Sequence, residues 1–580
     1  GVVSGMSGSP VYIDGRLIGA VAFAWPFTRG AVGGITPIDS MLELAAAGET
    51  SASTGLSRLP TLPTELLAAE LEPSLLADEL ERLVPALPSE GRDGVVWSLS
   101  GFGARTRGMI ERALTGVAPS GAAGDAVDSE LRPGSAVAGV LIDGDLKVAA
   151  TGTVTERRGE EILAFGHSFL GRGRVRVPMA AAEVVTVLSS RFVSFKIANV
   201  GPVVGSFELD RSSGVRGRVG VMVETVPLEV RIGGMAERTF HMELANEPAL
   251  LPMLVAISSL GALDAATQAA GDQGIDLVAR WDLAGYEPLE IRQSFDGGGA
   301  GIQSAIYLLL LTNFLANNPL EETRLESVAV SLEQYPQPRT TRLVSASADR
   351  SIVEPGAPVV LTLGLMPFRG EPTERRLALD LPRDLPDGRY SLVVGDGVTI
   401  DRIRQVVEPV VPETFDQALD MVRRFHSERD LVVLGLVPSW GLSFAGHALP
   451  QLPGSIRRLW QDAPPGAAVP LAFAIAEDRI EPSEVPLAGA VRVDLEVRQT
   501  PAVSMQPEED EGDGGDGQQW VRRGGEPGKE AAADVAVSTA AGRTAPAGGS
   551  PPEDDPQEGD RVGGDPDDDE PEREGDEEST

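Results

Sequence analysis

The chain has 580 residues, no cysteine, only four histidines and a formal net charge of −37. That length exceeds what one hydrophobic core serves, so several domains are expected. The lack of cysteine excludes disulfides and thiolate metal sites, the scattered histidines (His167, His241, His426, His447) lack metal-ligand spacing, and an acidic chain without a basic cluster argues against a nucleic-acid partner.

In chain order, residues 1–50 read as β structure ending in a short helix at 40–45. A Ser/Thr/Pro-rich linker follows at 51–63. Residues 65–87 carry apolar side chains at helical spacing, with a break expected at Pro73, and a short helix is expected at 106–114. From 135 the period changes to strands. A β-meander is expected over 136–142, 146–154 and 161–165, with an Asp143-Gly144 turn, and further strands over 184–188, 203–209, 219–230 and 239–244. Residues 249–260 read as a helix.

The most apolar run, 302–315, includes Tyr307-Leu308-Leu309-Leu310-Leu311. It is shorter than the roughly 20 apolar residues a membrane span needs, so a buried helix is expected and no span in the visible chain. Residues 343–411 alternate apolar and polar side chains between turn signals, the pattern of a small immunoglobulin-like β-sandwich. An amphipathic helix over 414–428, with Thr414 as its N-cap, opens a last small α/β region ending near 500. The final 80 residues hold 24 acidic and 6 basic side chains and few large apolar ones, the composition of a disordered tail.

Two segments carry chemistry. Near the start, Gly5-Met6-Ser7-Gly8-Ser9-Pro10 is followed by Val11-Tyr12-Ile13, an Asp14-Gly15 turn and Leu17-Ile18-Gly19-Ala20-Val21. Small residues around a serine, ahead of a strand–turn–strand unit, suit a nucleophile whose backbone N–H groups converge on an oxyanion. Ser7 is the candidate nucleophile, and the N–H groups of Gly5 and Ser7 are the candidate oxyanion hole. The plainer reading is a Gly/Ser turn before a hairpin. The second segment is Phe165-Gly166-His167-Ser168, at a strand end, where His167 is the candidate general base. A lone half-buried structural histidine is the competing reading. His241 reads as a strand residue, His426 as a helix residue and His447 as a loop residue.

At these two motifs the chain resembles the SpoIVB serine peptidase family. The resemblance rests on residues 5–10 and 17–21, on Thr151-Gly152-Thr153-Val154 through Gly166-His167, and on Ala182-Glu183-Val184-Val185, Gly201, Gly205 and the glycines at 214 and 217. It covers roughly residues 1–50 and 133–245. It implies a mainly β chain with some α and a chymotrypsin-like double β-barrel, permuted because the serine here precedes the histidine. It also implies a protein or peptide substrate, Ser7 as nucleophile, His167 as base, an extracytoplasmic location, and an acidic third residue lying upstream of Gly1.

The expected organisation is therefore a nucleophile part (1–50), a linker and helical insertion (51–132), a histidine part with a helical end (133–342), the sandwich (343–412), the small α/β region (413–500) and the acidic tail (501–580). The expected activity is serine endopeptidase, without metal or cofactor, by an N-terminally incomplete chain. The alternative is an inactive peptidase fold that binds or scaffolds in a bacterial cell envelope. Nothing in the sequence sets an oligomeric state.

Overall fold

The computed structural model describes residues 3–24, 32–46, 59–83, 95–114, 117–119, 130–188, 194–267, 271–444, 447–449, 452–453, 455 and 468–499. The chain divides into two units, Gly1–Pro507 and Glu508–Thr580. The expected disordered tail and most of the expected linker lie outside the described residues. The described residues are mainly β, with strands at 49% of them and helices at 21%.

The first elements are β1 (Pro10–Ile13), β2 (Arg16–Ala24) and β3 (Gly33–Pro37), an antiparallel three-stranded sheet, followed by helix α1 (Ile38–Ala46). Asp14 and Gly15, both with positive φ, form the two-residue turn between β1 and β2 that the Asp-Gly pair signals. Next come α2 (Pro63–Ala68) and α3 (Pro73–Leu83), divided ahead of Pro73 as expected because proline has no N–H and restricts the residue before it. They are followed by β4 (Val96–Ser100), α4 (Ala104–Ala113) and β5 (Val117–Pro119).

The meander region supplies β6 (Ala136–Gly144), β7 (Lys147–Arg158), β8 (Glu161–Ala164), β9 (Gly173–Leu188), β10 (Phe195–Arg211) and β11 (Gly214–Val219). These six pair in the order β6-β9-β10-β11-β8-β7, and β7 returns to β6, so the sheet closes on itself with every pairing antiparallel. Closure leaves no exposed edge, and the interior is filled by Val137, Val154, Phe165, Val177, Met179 and Phe207. Among the described residues one barrel closes; the strands after Ser7 form a separate three-stranded sheet.

The same sheet continues beyond the barrel through β12 (Thr225–Gly234), β13 (Arg238–Ala245), β14 (Gln273–Leu283), β15 (Leu289–Gly297) and β16 (Leu325–Tyr335), in the order β6-β13-β12-β16-β14-β15. The strand expected over 219–230 is broken at Gly220, whose φ of 84° turns the chain between β11 and β12. Helices α5 (Leu251–Thr267) and α6 (Ala300–Asn317) cover this extension and are buried nearly all round. That explains their uniformly apolar sequences: a helix packed on every side needs no polar face. Trp281 of β14 donates its indole N–H to Thr312 of α6 at 3.1 Å. By length and composition α6 is the one described helix able to cross a membrane, but 72% of its most apolar window is buried inside the protein, so it gives no clear span.

The last part contains β17 (Thr341–Ala348), β18 (Ile352–Val353), β19 (Pro358–Pro367), β20 (Thr373–Asp380), β21 (Gly388–Asp396), α7 (Gly397–Val407), α8 (Phe415–Arg423), β22 (Asp430–Pro438), β23 (Leu442–Phe444), β24 (His447–Leu449), β25 (Ala468–Pro470), β26 (Phe473–Pro482), β27 (Leu487–Ala488) and β28 (Ala490–Val497). Here the expected division at 412 is corrected. Central strand β21 takes both its neighbours, β22 and β28, from beyond that point, and the sheets β20-β19-β17-β27 and β18-β28-β21-β22-β26 share one core. A local strand pattern shows where a strand runs but not which distant strand completes its ladder. Thr414 caps α8 as expected, accepting the Gln417 N–H.

Candidate functional site

The turn that carries Ser7 is stapled to the barrel before β1 begins. Gly5 and Gly8 both have φ of 90°, a conformation glycine adopts without penalty. Gly8 has no room for a side chain: a Cβ there would stand 2.0 Å from the Thr153 carbonyl oxygen and 2.5 Å from the Phe165 nitrogen. The Gly8 N–H donates to the Val21 carbonyl on β2 at 2.7 Å, and the Thr153 N–H on β7 donates to the Ser7 carbonyl at 2.8 Å. Two β7 hydroxyls complete the attachment, Thr153 to the Gly5 carbonyl (3.1 Å) and Thr155 to the Gly8 carbonyl (2.7 Å). Lys196 of β10 lies beside Gly5 and donates to the Thr153 hydroxyl at 3.4 Å; burial pushes its ammonium below the ordinary lysine range.

The histidine segment leaves β8 through two consecutive left-handed residues, Phe165 and Gly166, each with φ of 67°. For a phenylalanine that conformation costs free energy, and the side chain shows what offsets it. The Phe165 ring is fully buried, stacks on Phe169 at 5.5 Å and meets Phe207 edge-on at 5.9 Å. Thr36 of β3 donates its hydroxyl to the Gly166 carbonyl, tying the small sheet to the same turn.

These two turns bring the sequence candidates together. Ser7 Oγ lies 2.7 Å from His167 Nε2, across 160 residues of chain. His167 Nδ1 lies 2.6 Å from the carbonyl oxygen of Ser168. A carbonyl only accepts, so Nδ1 carries the proton and neutral Nε2 presents its lone pair to the Ser7 hydroxyl. Both residues are deep in the protein, at 4% and 3% exposure, and the Phe23 ring stands 6.3 Å from the imidazole.

One residue absent from the sequence candidates belongs to this assembly. Asp210, fully buried on β10, accepts the backbone N–H groups of Phe169 (3.0 Å), Leu170 (2.6 Å) and Gly171 (2.7 Å), the three residues after Ser168. Burial pushes its carboxyl up to about 7, against the lowering effect of those three bonds and of the Arg172 charge. A strict two-residue period would alternate Leu209 and Asp210 between faces. A register shift between Phe207 and Leu209 changes the phase of that alternation relative to the strand before it, and both residues are buried.

The other histidines do not converge on this site. His241 is exposed on β13, and His447 lies in β24. His426 lies beyond the end of α8, where Asp401 of α7 accepts both its Nδ1 proton and its backbone N–H at 2.7 Å. Among the described residues no group of three or more His, Asp or Glu side chains could hold a metal ion. Comparison with family models, with curated proteins and with solved structures returned no match.

Proposed function

We propose that the chain is a serine endopeptidase of the SpoIVB type, with Ser7 as nucleophile and His167 as general base. The observation that carries this reading is the 2.7 Å approach of Ser7 Oγ to His167 Nε2, with Nδ1 turned onto the Ser168 carbonyl. Two residues 160 positions apart, singled out for chemistry, meet in the tautomer a base requires. The closed barrel and a histidine just past its β8 strand support the chymotrypsin-like part of the reading. The two packed sheets near the C-terminus are read as the immunoglobulin-like module. An extracytoplasmic location rests on the family resemblance.

In this mechanism Ser7 Oγ attacks the scissile carbonyl carbon while its proton passes to His167 Nε2. The tetrahedral oxygen takes its negative charge toward the N–H groups of Gly5 and Ser7, two residues apart on a turn that glycine conformation permits. The imidazolium keeps its Nδ1–H on the Ser168 carbonyl and returns the other proton to the leaving amine. Water then repeats the attack on the acyl-serine, His167 takes its proton and passes it to the departing Ser7 Oγ, and the acid and free Ser7 are released.

The depth of the pair favours a second reading, a peptidase fold that binds without cutting, because a polypeptide to be cut must reach a Ser7 that is only 4% exposed. A fluorophosphonate probe separates the two. Stoichiometric labelling lost in Ser7→Ala supports the hydrolase; no labelling of folded protein, or equal labelling of Ser7→Ala, rejects it.

A further inference from the structure

The peptide unit between Ser168 and Phe169 has both of its polar ends engaged. Its carbonyl oxygen faces His167 Nδ1 at 2.6 Å, and its N–H faces Asp210 Oδ1 at 3.0 Å. A carboxylate, a peptide group, an imidazole and a serine hydroxyl therefore form one chain of hydrogen bonds. The next two N–H groups, of Leu170 and Gly171, hold the other carboxylate oxygen, so the carboxylate cannot turn away from the first.

We propose that Asp210 is the acidic positioning residue of this site, acting on His167 through the Ser168–Phe169 peptide rather than by direct contact. The inference rests on the serine hydrolase reading for its role in turnover, but the coupling itself is a property of the hydrogen-bond chain. A carboxylate accepting the peptide N–H draws electron density toward the carbonyl oxygen, making that oxygen a better acceptor for the Nδ1 proton. When His167 takes the serine proton, the new positive charge is stabilised through the polarised peptide, and the three N–H bonds keep the loop from swinging the ring off Ser7. The Arg172 guanidinium is the charged group facing Asp210, and Glu247 in turn attracts Arg172. Removing Asp210 therefore leaves a cation near the loop.

The test compares the full chain with its Asp210→Asn variant, folding being checked by circular dichroism and thermal melting. Selective 15N-histidine labelling follows the His167 ring nitrogens through a pH titration. The expected result is a His167 pKa lower by roughly half to one unit in Asp210→Asn, since a stabilising negative charge is lost. The rate of fluorophosphonate capture should fall by about 10- to 100-fold, as for loss of one charge-assisted hydrogen bond. A purely structural Asp210 would lower the rate without moving the His167 titration, and a folded variant with an unmoved titration overturns the proposal. If Asp210→Asn fails to fold, 15N-phenylalanine labelling of the wild type decides. The Phe169 amide and the His167 Nδ1–H should then shift together as Asp210 ionises, and a Phe169 amide that stays flat overturns it. Wild type that never labels rejects the hydrolase reading alone, because both titrations are still read.

Discussion

Two histidines in this molecule have well-made partners, and the contrast between them separates a chemical arrangement from a structural one. His426 has a direct carboxylate, with Asp401 accepting both its ring proton and its backbone N–H at 2.7 Å. His167 has a carbonyl at Nδ1 and a serine hydroxyl at Nε2. Judged by the acid–histidine pair, His426 would be the better catalytic candidate. Yet its geometry fixes chain segments, joining α7 to the stretch after α8, and among the described residues it presents its imidazole to no nucleophile. The surroundings of His167 are built differently, with two positive-φ residues before it, a glycine, Gly8, without side-chain room in the facing turn, and a buried carboxylate gripping the loop behind it. A proton acceptor held against a hydroxyl is the more telling sign.

The largest expected break in that comparison is His167→Gln. It should lower the rate of fluorophosphonate capture by Ser7 by about 10⁴- to 10⁶-fold, as loss of a triad member does. The same substitution at His426 should leave the rate within a factor of two or so, because nothing in its surroundings touches Ser7. Stopped-time labelling of both variants checks this, and equal losses would erase the distinction.

A backbone version follows. Gly8→Ala places a methyl group against the Thr153 carbonyl at positive φ, and should cost about 3 kcal/mol by urea unfolding, along with labelling. Gly15→Ala, also at positive φ but with nothing within 4 Å, should cost only about 1 kcal/mol and leave labelling intact. Similar losses at both positions would mean the nucleophile turn is no more constrained than an ordinary hairpin turn.

The last contrast belongs to the structural pair, where the cost of a change falls away with pH. The hydrogen bond from Asp401 raises the His426 pKa above its ordinary value, outweighing burial. A histidine raised on folding contributes stability that is fully present below its unfolded value near 6.5 and is lost as pH rises through the raised folded value. Asp401→Asn should therefore cost about 2 kcal/mol at pH 6 and progressively less at higher pH, read from urea midpoints across the series. A loss independent of pH would remove the charge from the explanation.

Much of the candidate site was legible in the sequence because its signals are local. Asp14-Gly15 between apolar runs gave the hairpin, small residues around Ser7 gave the tight turn, and Gly166 before a histidine at a strand end gave the exit from β8. Thr36, Thr153 and Thr155 were not legible, since a threonine in a strand is ordinary and its acceptor lies in another segment. Asp210 was hidden by the bulge that changes the phase of the alternation ahead of it. The C-terminal sandwich was half legible: its first strands were visible, while the partners of β21 lie far along the chain.

The sequence by itself therefore determined the turns, the strand and helix segments, the apolar core helices and the two residues with the right chemistry, because each depends on side chains a few positions apart. Only the tertiary structure decided that Ser7 and His167 meet, which ring nitrogen faces the serine, and that Asp210 stands behind the peptide orienting the ring. Those facts depend on how a barrel closes over 160 residues of chain, and a one-residue change of register would have pointed the same side chains elsewhere.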